Sequence, residues 1–109
     1  MRALAAAIAL SLMTILALAS SPDVEAALVF QTVGADANRL KTFCEFMKID
    51  EQTGQRADPA LEAKMDKLLA RLGADFKAAW ETVEDIDPAS DDGKVLLAAL
   101  DRLLDKCPH

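Results

Sequence analysis

The chain has 109 residues, of which 18 are acidic and 12 are basic, and 52% of its residues are apolar. This length allows one small domain. The net charge of −6, with no cluster of lysine and arginine, argues against nucleic acid and anionic membrane surfaces as partners, because both require a basic face.

The amino-terminal segment predicts a secretory signal over residues 1–26. A short basic start precedes a nearly unbroken apolar run over residues 3–19, and small residues allow cleavage after Ala26 or Ala19. A membrane anchor is the alternative, although the run is barely long enough to span a bilayer. We expect a periplasmic protein, free of the membrane after cleavage, with a single helical domain over residues 27–109.

The sequence has two cysteines, Cys44 and Cys107. In an exported protein they should form a disulfide, and only one connectivity exists. In the chain-entropy model, closing a loop of this length contributes about 4 kcal/mol to stability. Redox chemistry and metal ligation are less favoured, because a Cys-x-x-Cys motif is absent. The pair therefore predicts a structural cross-link.

The first helix of the predicted domain begins at Asp36, which can cap its amino terminus. Apolar residues then recur at helical spacing, and the pattern fades near Asp50, where residues 53–55 predict a polar connector. This apolar face consists of Leu40, Phe43, Cys44 and Met47.

Two further helices are predicted from Asp-Pro pairs, in which Asp caps and Pro takes the first helical position. The helix after Asp58-Pro59 keeps its apolar stripe through Gly73, which favours one kinked helix over two. Its stripe is Leu61, Met65, Leu68, Leu72, Phe76, Ala79 and Val83. The helix after Asp87-Pro88 ends near Cys107-Pro108, with a predicted inward face of Val95, Leu96, Leu97, Leu100, Leu103 and Leu104.

No alternating strand pattern occurs in the sequence. The predicted fold class is all-α: a small antiparallel bundle of three to four helices with one disulfide, Cys44 to Cys107. The aromatic side chains of Phe43, Phe46, Phe76 and Trp80 are expected in or beside the core.

An acidic segment over residues 81–92 is the densest polar feature of the chain. Crowded carboxylates repel one another, and a bound hard cation would relieve that repulsion. Helix capping is the alternative, but it explains only the last three acids, because anions are disfavoured at the carboxyl end of a helix. The segment thus predicts either a site for hard cations or a solvated turn, formed by Glu81, Glu84, Asp85, Asp87, Asp91 and Asp92.

Several other sites are excluded by the spacing of residues. An EF-hand aligned on Gly93 would place Pro88 and Ala99 where carboxylate ligands are required. The segment Cys107-Pro108-His109 has no preceding cysteine for haem attachment. No nucleophile is placed beside a base, so we expect a protein that is not an enzyme.

A resemblance to a known family extends over most of the predicted mature chain. The segments Lys41-Thr-Phe-Cys44, Leu72-Gly73, Asp85 to Lys94 and Leu103 to Cys107 resemble those of small exported two-cysteine helical proteins of proteobacteria. Among these, the chain is most similar to the landiscernin-like periplasmic lanthanide-binding proteins. The resemblance implies binding of trivalent lanthanide ions in the periplasm and hand-over to other periplasmic metal carriers.

The acidic segment would supply about four carboxylates to a lanthanide ion, whereas ions of this kind take six to eight oxygens or more. A metal-bridged homodimer would complete the coordination, and calcium is the alternative ion. The sequence leaves open whether Glu45, Asp50 and Glu51 join the site. The competing functions are a periplasmic helical chaperone or interaction module without metal, similar in outline to acid-stress chaperones, and an accessory subunit.

Overall fold

The computed structural model describes residues 21–108, which form five α-helices. The predicted signal residues before Ser21 lie outside the described residues. The helices are α1 (Pro22–Ala35), α2 (Ala37–Gln55), α3 (Pro59–Leu72), α4 (Ala74–Glu84) and α5 (Asp91–Asp105). The all-helical fold class is confirmed, with more helices than the three to four expected.

Side-chain caps begin four of the five helices, all except α4. The Ser21 hydroxyl accepts a hydrogen bond from Val24 N at 3.2 Å at the start of α1. At the start of α2, Asp36 Oδ1 accepts from Asn38 N at 2.9 Å, and Asp58 Oδ1 does the same for Ala60 N in α3. Such caps satisfy backbone donors that have no partner within the helix. The predicted starts at Asp36 and Asp58 are therefore confirmed.

The helix α1 precedes Asp36, where the first helix of the domain was predicted to begin. Cleavage after Ala26 would remove its first turn and the Ser21 cap, whereas cleavage after Ala19 would leave both in place. Ala26 and Ala27 are buried, together with Phe30 and Val33.

Three predicted boundaries were wrong. The helix α2 does not fade near Asp50 but continues through residues 53–55. The chain does not pass Gly73 as one kinked helix: α3 ends before it and α4 begins after it. The last helix begins after Ser90, whose hydroxyl accepts from Gly93 N at 3.0 Å, and not at Asp87-Pro88.

The core is centred on the ring of Phe76. Its centroid lies 5.8 Å from those of Phe30, Phe43 and Phe46, all of which are buried, and half-buried Trp80 packs beside Phe46 at 5.2 Å. Edge-to-face pairs at these distances add to the free energy of burying the rings. The expected aromatic core is confirmed, with Phe30 as an additional member.

Helix α1 packs against α5, α4 and α2, while α3 packs against both α2 and α4. The carboxyl ends of α1 and α5 lie together, since Lys106 Nζ donates to the Gly34 carbonyl oxygen at 3.3 Å. The predicted inward face of α5 is correct for Leu96, Leu100 and Leu103, which are buried, but wrong for Val95, which is 51% exposed. Within residues 21–108, none of the helices has the length and apolarity needed to cross a membrane.

Candidate functional site

The predicted disulfide is present and joins two distant parts of the chain. Cys44 lies within α2 and Cys107 follows the end of α5, and their sulfur atoms are bonded. The helix α5 otherwise packs mainly against α1. The disulfide therefore fastens the carboxyl-terminal end of the bundle to α2.

The acidic segment forms the turn between α4 and α5. Asp87 Oδ1 accepts a hydrogen bond from Ala89 N at 3.0 Å, and the Ser90 hydroxyl donates to the Asp87 carbonyl oxygen at 2.9 Å. Gly93 is buried beneath this turn, where a Cβ atom would overlap that carbonyl oxygen. The turn is thus a closely packed structural unit with its own internal hydrogen bonds.

All six carboxylates predicted as metal ligands are exposed, namely Glu81, Glu84, Asp85, Asp87, Asp91 and Asp92. Between residues 21 and 108, no three side chains of Asp, Glu, His or Cys approach closely enough to share a metal ion. A multivalent ion would need at least that many protein ligands to replace much of its hydration shell. The turn therefore concentrates negative charge without forming a coordination sphere.

The acids of the first predicted helix lie elsewhere. Glu45, Asp50 and Glu51 line a groove on α2 that also includes Cys107 and Pro108. The acidic turn comes before α5, whereas Cys107 follows it. The structure therefore does not combine these acids with the turn in one metal site.

The groove on α2 is a feature that the sequence analysis missed. Its volume is about 880 Å³, and one wall is formed by the end of α5 and the residues after it. Most of its surface is apolar, with charged side chains among the lining residues. The full lining is Ala37, Leu40, Lys41, Cys44, Glu45, Met47, Lys48, Asp50, Glu51, Leu104, Lys106, Cys107 and Pro108.

The uncharged residues of α2 in this groove follow a heptad spacing. Ala37, Leu40, Cys44 and Met47 are separated by three, four and three residues, which places them in one seam along the helix. We call these four residues the α2 seam. Phe43 and Phe46 are fully buried, whereas Leu40, Cys44 and Met47 pack against the edge of the core and also line the groove. Helical periodicity had placed Leu40, Phe43, Cys44 and Met47 on a single face, which concealed the seam.

Lysines flank the α2 seam. Lys41 and Lys48 each follow a seam residue directly, at the position that carries charged side chains in coiled coils. Both lysines are exposed, whereas Leu40, Cys44 and Met47 are half-buried and keep part of their apolar surface open to the groove. Glu45, Asp50 and Glu51 line the same groove, so the arrangement can receive an apolar ridge that carries negative charge only opposite the two lysines.

Comparisons of the chain with protein-family models, with curated protein sequences and with solved structures gave no match.

Proposed function

We propose that this protein is an exported interaction module that docks an amphipathic helix of a partner protein in the groove on α2. The observation that supports this proposal is the α2 seam, a partly buried row at heptad spacing that lines the groove, with lysines along its edge. Grooves of this kind receive helices whose apolar residues recur every three or four positions. This function belongs to the metal-independent class considered above.

The dimensions of the groove suit a helix of three to four turns. The lining residues of α2 extend from Ala37 to Glu51, and at 1.5 Å per residue this is roughly 21 Å. A partner helix lying along the seam would insert its apolar side chains between Leu40, Cys44 and Met47. The groove volume is also within the range of specific binding sites, up to about 1,000 Å³.

Charge selects the type of partner helix. Lys41 and Lys48 are two helical turns apart on the same edge of the groove, so glutamates at matching positions of the partner would lie opposite them. Exposed ion pairs of this type contribute little affinity, but like charges at the same positions oppose binding. The proposed occupant is therefore an amphipathic helix with glutamates opposite Lys41 and Lys48.

A designed peptide provides the test. A 21-residue helix with leucine at both seam positions of each heptad and glutamate at the flanking positions should bind the oxidised protein with a micromolar dissociation constant, measured by fluorescence anisotropy. Met47→Asp should weaken this binding by about tenfold or more, because a charge would be buried at the centre of the interface. A peptide with lysine in place of glutamate should bind more weakly.

Val95→Asp is the matched control, because Val95 is an exposed apolar residue that does not line the groove. This variant should bind the acidic-edged peptide like the unmodified protein. Equal losses in Met47→Asp and Val95→Asp, or equal affinity for the two peptides, would contradict the proposal.

A second candidate function is the binding of hard multivalent cations, lanthanides in particular, at the acidic turn. The observation in its favour is the exposure of Glu81, Glu84 and Asp85 at the carboxyl end of α4, where the helix dipole disfavours anions. Two turns from two copies of the chain would bring more oxygens to one ion, which is the metal-bridged dimer expected above. A terbium titration distinguishes this function from helix docking.

A further inference from the structure

The surroundings of the disulfide differ from those of a buried cross-link. Cys44 and Cys107 are both half-buried, and both line the open groove on α2. Thiol–disulfide exchange requires access of a thiolate to one of the two sulfur atoms. The groove gives an external thiol a route to this disulfide while the bundle remains folded.

Lysines lie on both sides of Cys44 along its helical face. Lys41 and Lys48 are three residues before and four residues after Cys44, the two spacings that place side chains on the same helical face. Glu45, four residues after Lys41 and three before Lys48, lies between the two lysines, and Asp50 and Glu51 line the same groove, while Lys106 precedes Cys107 directly. Positive charge next to a departing sulfur stabilises the thiolate and speeds its departure.

We infer that the Cys44–Cys107 disulfide is a site of thiol–disulfide exchange with a dithiol reductant. A thiolate of the reductant attacks Cys107 Sγ, a mixed disulfide forms, and Cys44 leaves as a thiolate beside Lys41 and Lys48. The second thiol of the reductant then attacks the mixed disulfide and releases Cys107. The reductant becomes a disulfide, while both cysteines become thiols, so two electrons and two protons pass to this protein.

The packing of α5 determines what reduction changes. Leu96, Leu100 and Leu103 are buried in the core, and the core contacts of α5 are made largely with α1. These contacts do not depend on the disulfide. Reduction should therefore loosen the residues after Leu103, which form one wall of the groove and are then held only by Leu104 packing and the hydrogen bond from Lys106 to Gly34, and leave the bundle folded. This inference does not depend on helix docking, since it rests on the access to the disulfide, the charges beside it and the packing of α5.

The test measures the rate at which dithiothreitol reduces the oxidised full chain, with alkylation and mass spectrometry as the readout. The native protein should be reduced within about tenfold of the rate for the urea-unfolded protein, because the folded state leaves the sulfurs accessible. The double variant Lys41→Gln with Lys48→Gln should be reduced about threefold or more slowly in the native state. Lys64→Gln with Lys94→Gln is the matched control and should keep the original rate.

A second measurement follows the reduced protein in the presence of dithiothreitol. Circular dichroism should show the helical content retained, and hydrogen exchange should become faster only after Leu103. The inference is overturned if native protein is reduced only at its rate of global unfolding, or if the lysine and control variants are reduced at equal rates. Cooperative loss of helix on reduction would also overturn it, because the bond would then be a structural cross-link alone.

Discussion

Arg39 and Asp75 join α2 to the start of α4 across the break between α3 and α4. Arg39 Nη2 donates to Asp75 Oδ1 at 2.9 Å and to the Leu72 carbonyl oxygen at 2.7 Å. The side chain of Arg39 is only 22% exposed. One guanidinium group thus satisfies a carbonyl oxygen at the end of α3 and a carboxylate in the first turn of α4, on either side of Gly73.

Replacing this arginine should destabilise the bundle measurably. Arg39→Gln removes both hydrogen bonds, one of them to a carboxylate, and leaves the Leu72 carbonyl oxygen with a weaker donor. We expect a loss of about 1 to 2 kcal/mol in the free energy of unfolding, since Asp75 is half-exposed and partly screened by water. Urea denaturation followed by Trp80 fluorescence measures this loss.

Arg56→Gln is the control for this change. Arg56 also pairs with an aspartate, Asp58, but at 3.6 Å and with 74% of its side chain exposed. Arg56→Gln should lower the free energy of unfolding by less than about 0.5 kcal/mol, as for most exposed ion pairs. Equal losses in the two variants would show that the hydrogen bonds of Arg39 do not stabilise the break.

The break itself depends on the backbone of Gly73. Its φ of 103° and ψ of 166° lie in a region that residues with a side chain rarely adopt. Gly73→Ala should therefore lower the free energy of unfolding by about 1 to 3 kcal/mol. Gly54→Ala is the control, because Gly54 lies within α2 with open space around it. Gly54→Ala should be neutral or slightly stabilising. A stabilising effect of Gly73→Ala would contradict the break between α3 and α4.

Phe76 should be the most sensitive core position. Its ring contacts four other aromatic rings and is fully buried. Phe76→Ala should lower the free energy of unfolding by about 3 to 5 kcal/mol through lost contacts and a cavity. Val95→Ala, at the exposed position that sequence periodicity placed inside, should change it by less than about 1 kcal/mol. Thermal unfolding followed by circular dichroism measures both variants. A comparable loss of stability in Val95→Ala would indicate that Val95 faces the core, as periodicity predicted.

The sequence predicted the parts of the fold that local interactions determine. The caps at Asp36 and Asp58 act on backbone donors two residues away, so they were readable from sequence. The start of α5 was misplaced because two cap signals compete within four residues. Asp87 uses its carboxylate on Ala89 N within the turn, and Ser90 caps the helix.

The candidate sites depend on the directions in which side chains point, and the spacing of residues in the sequence does not determine these directions. Glu81 and Glu84 share a helical face, but whether their carboxylates meet those of Asp91 depends on the path of the turn between the two helices. The groove was missed for a related reason. Leu40 and Phe43 both fit helical periodicity, yet only the packed structure shows that Phe43 is fully buried while Leu40 lies at the edge of the core and also lines the groove.

The acidic turn provides the last prediction, in which terbium emission reports ion binding. Trp80 is the single tryptophan of the chain and precedes Glu84 by one helical turn on α4, so its excitation can sensitise an ion held at the turn. We expect saturation only at about 0.1 to 1 mM terbium, as in weak carboxylate sites, with emission that falls at high salt because the charges are exposed.

Glu84→Gln with Asp85→Asn should reduce this emission, because both changes remove exposed negative charge beside Trp80. Glu62→Gln with Asp66→Asn removes the same charge from α3 and should leave the emission unchanged. Micromolar or tighter saturation, accompanied by dimerisation in sedimentation experiments, would contradict the geometry described for residues 81–92. Such a result would mean that the carboxylates rearrange around the ion, and lanthanide binding would then replace helix docking as the better-supported function.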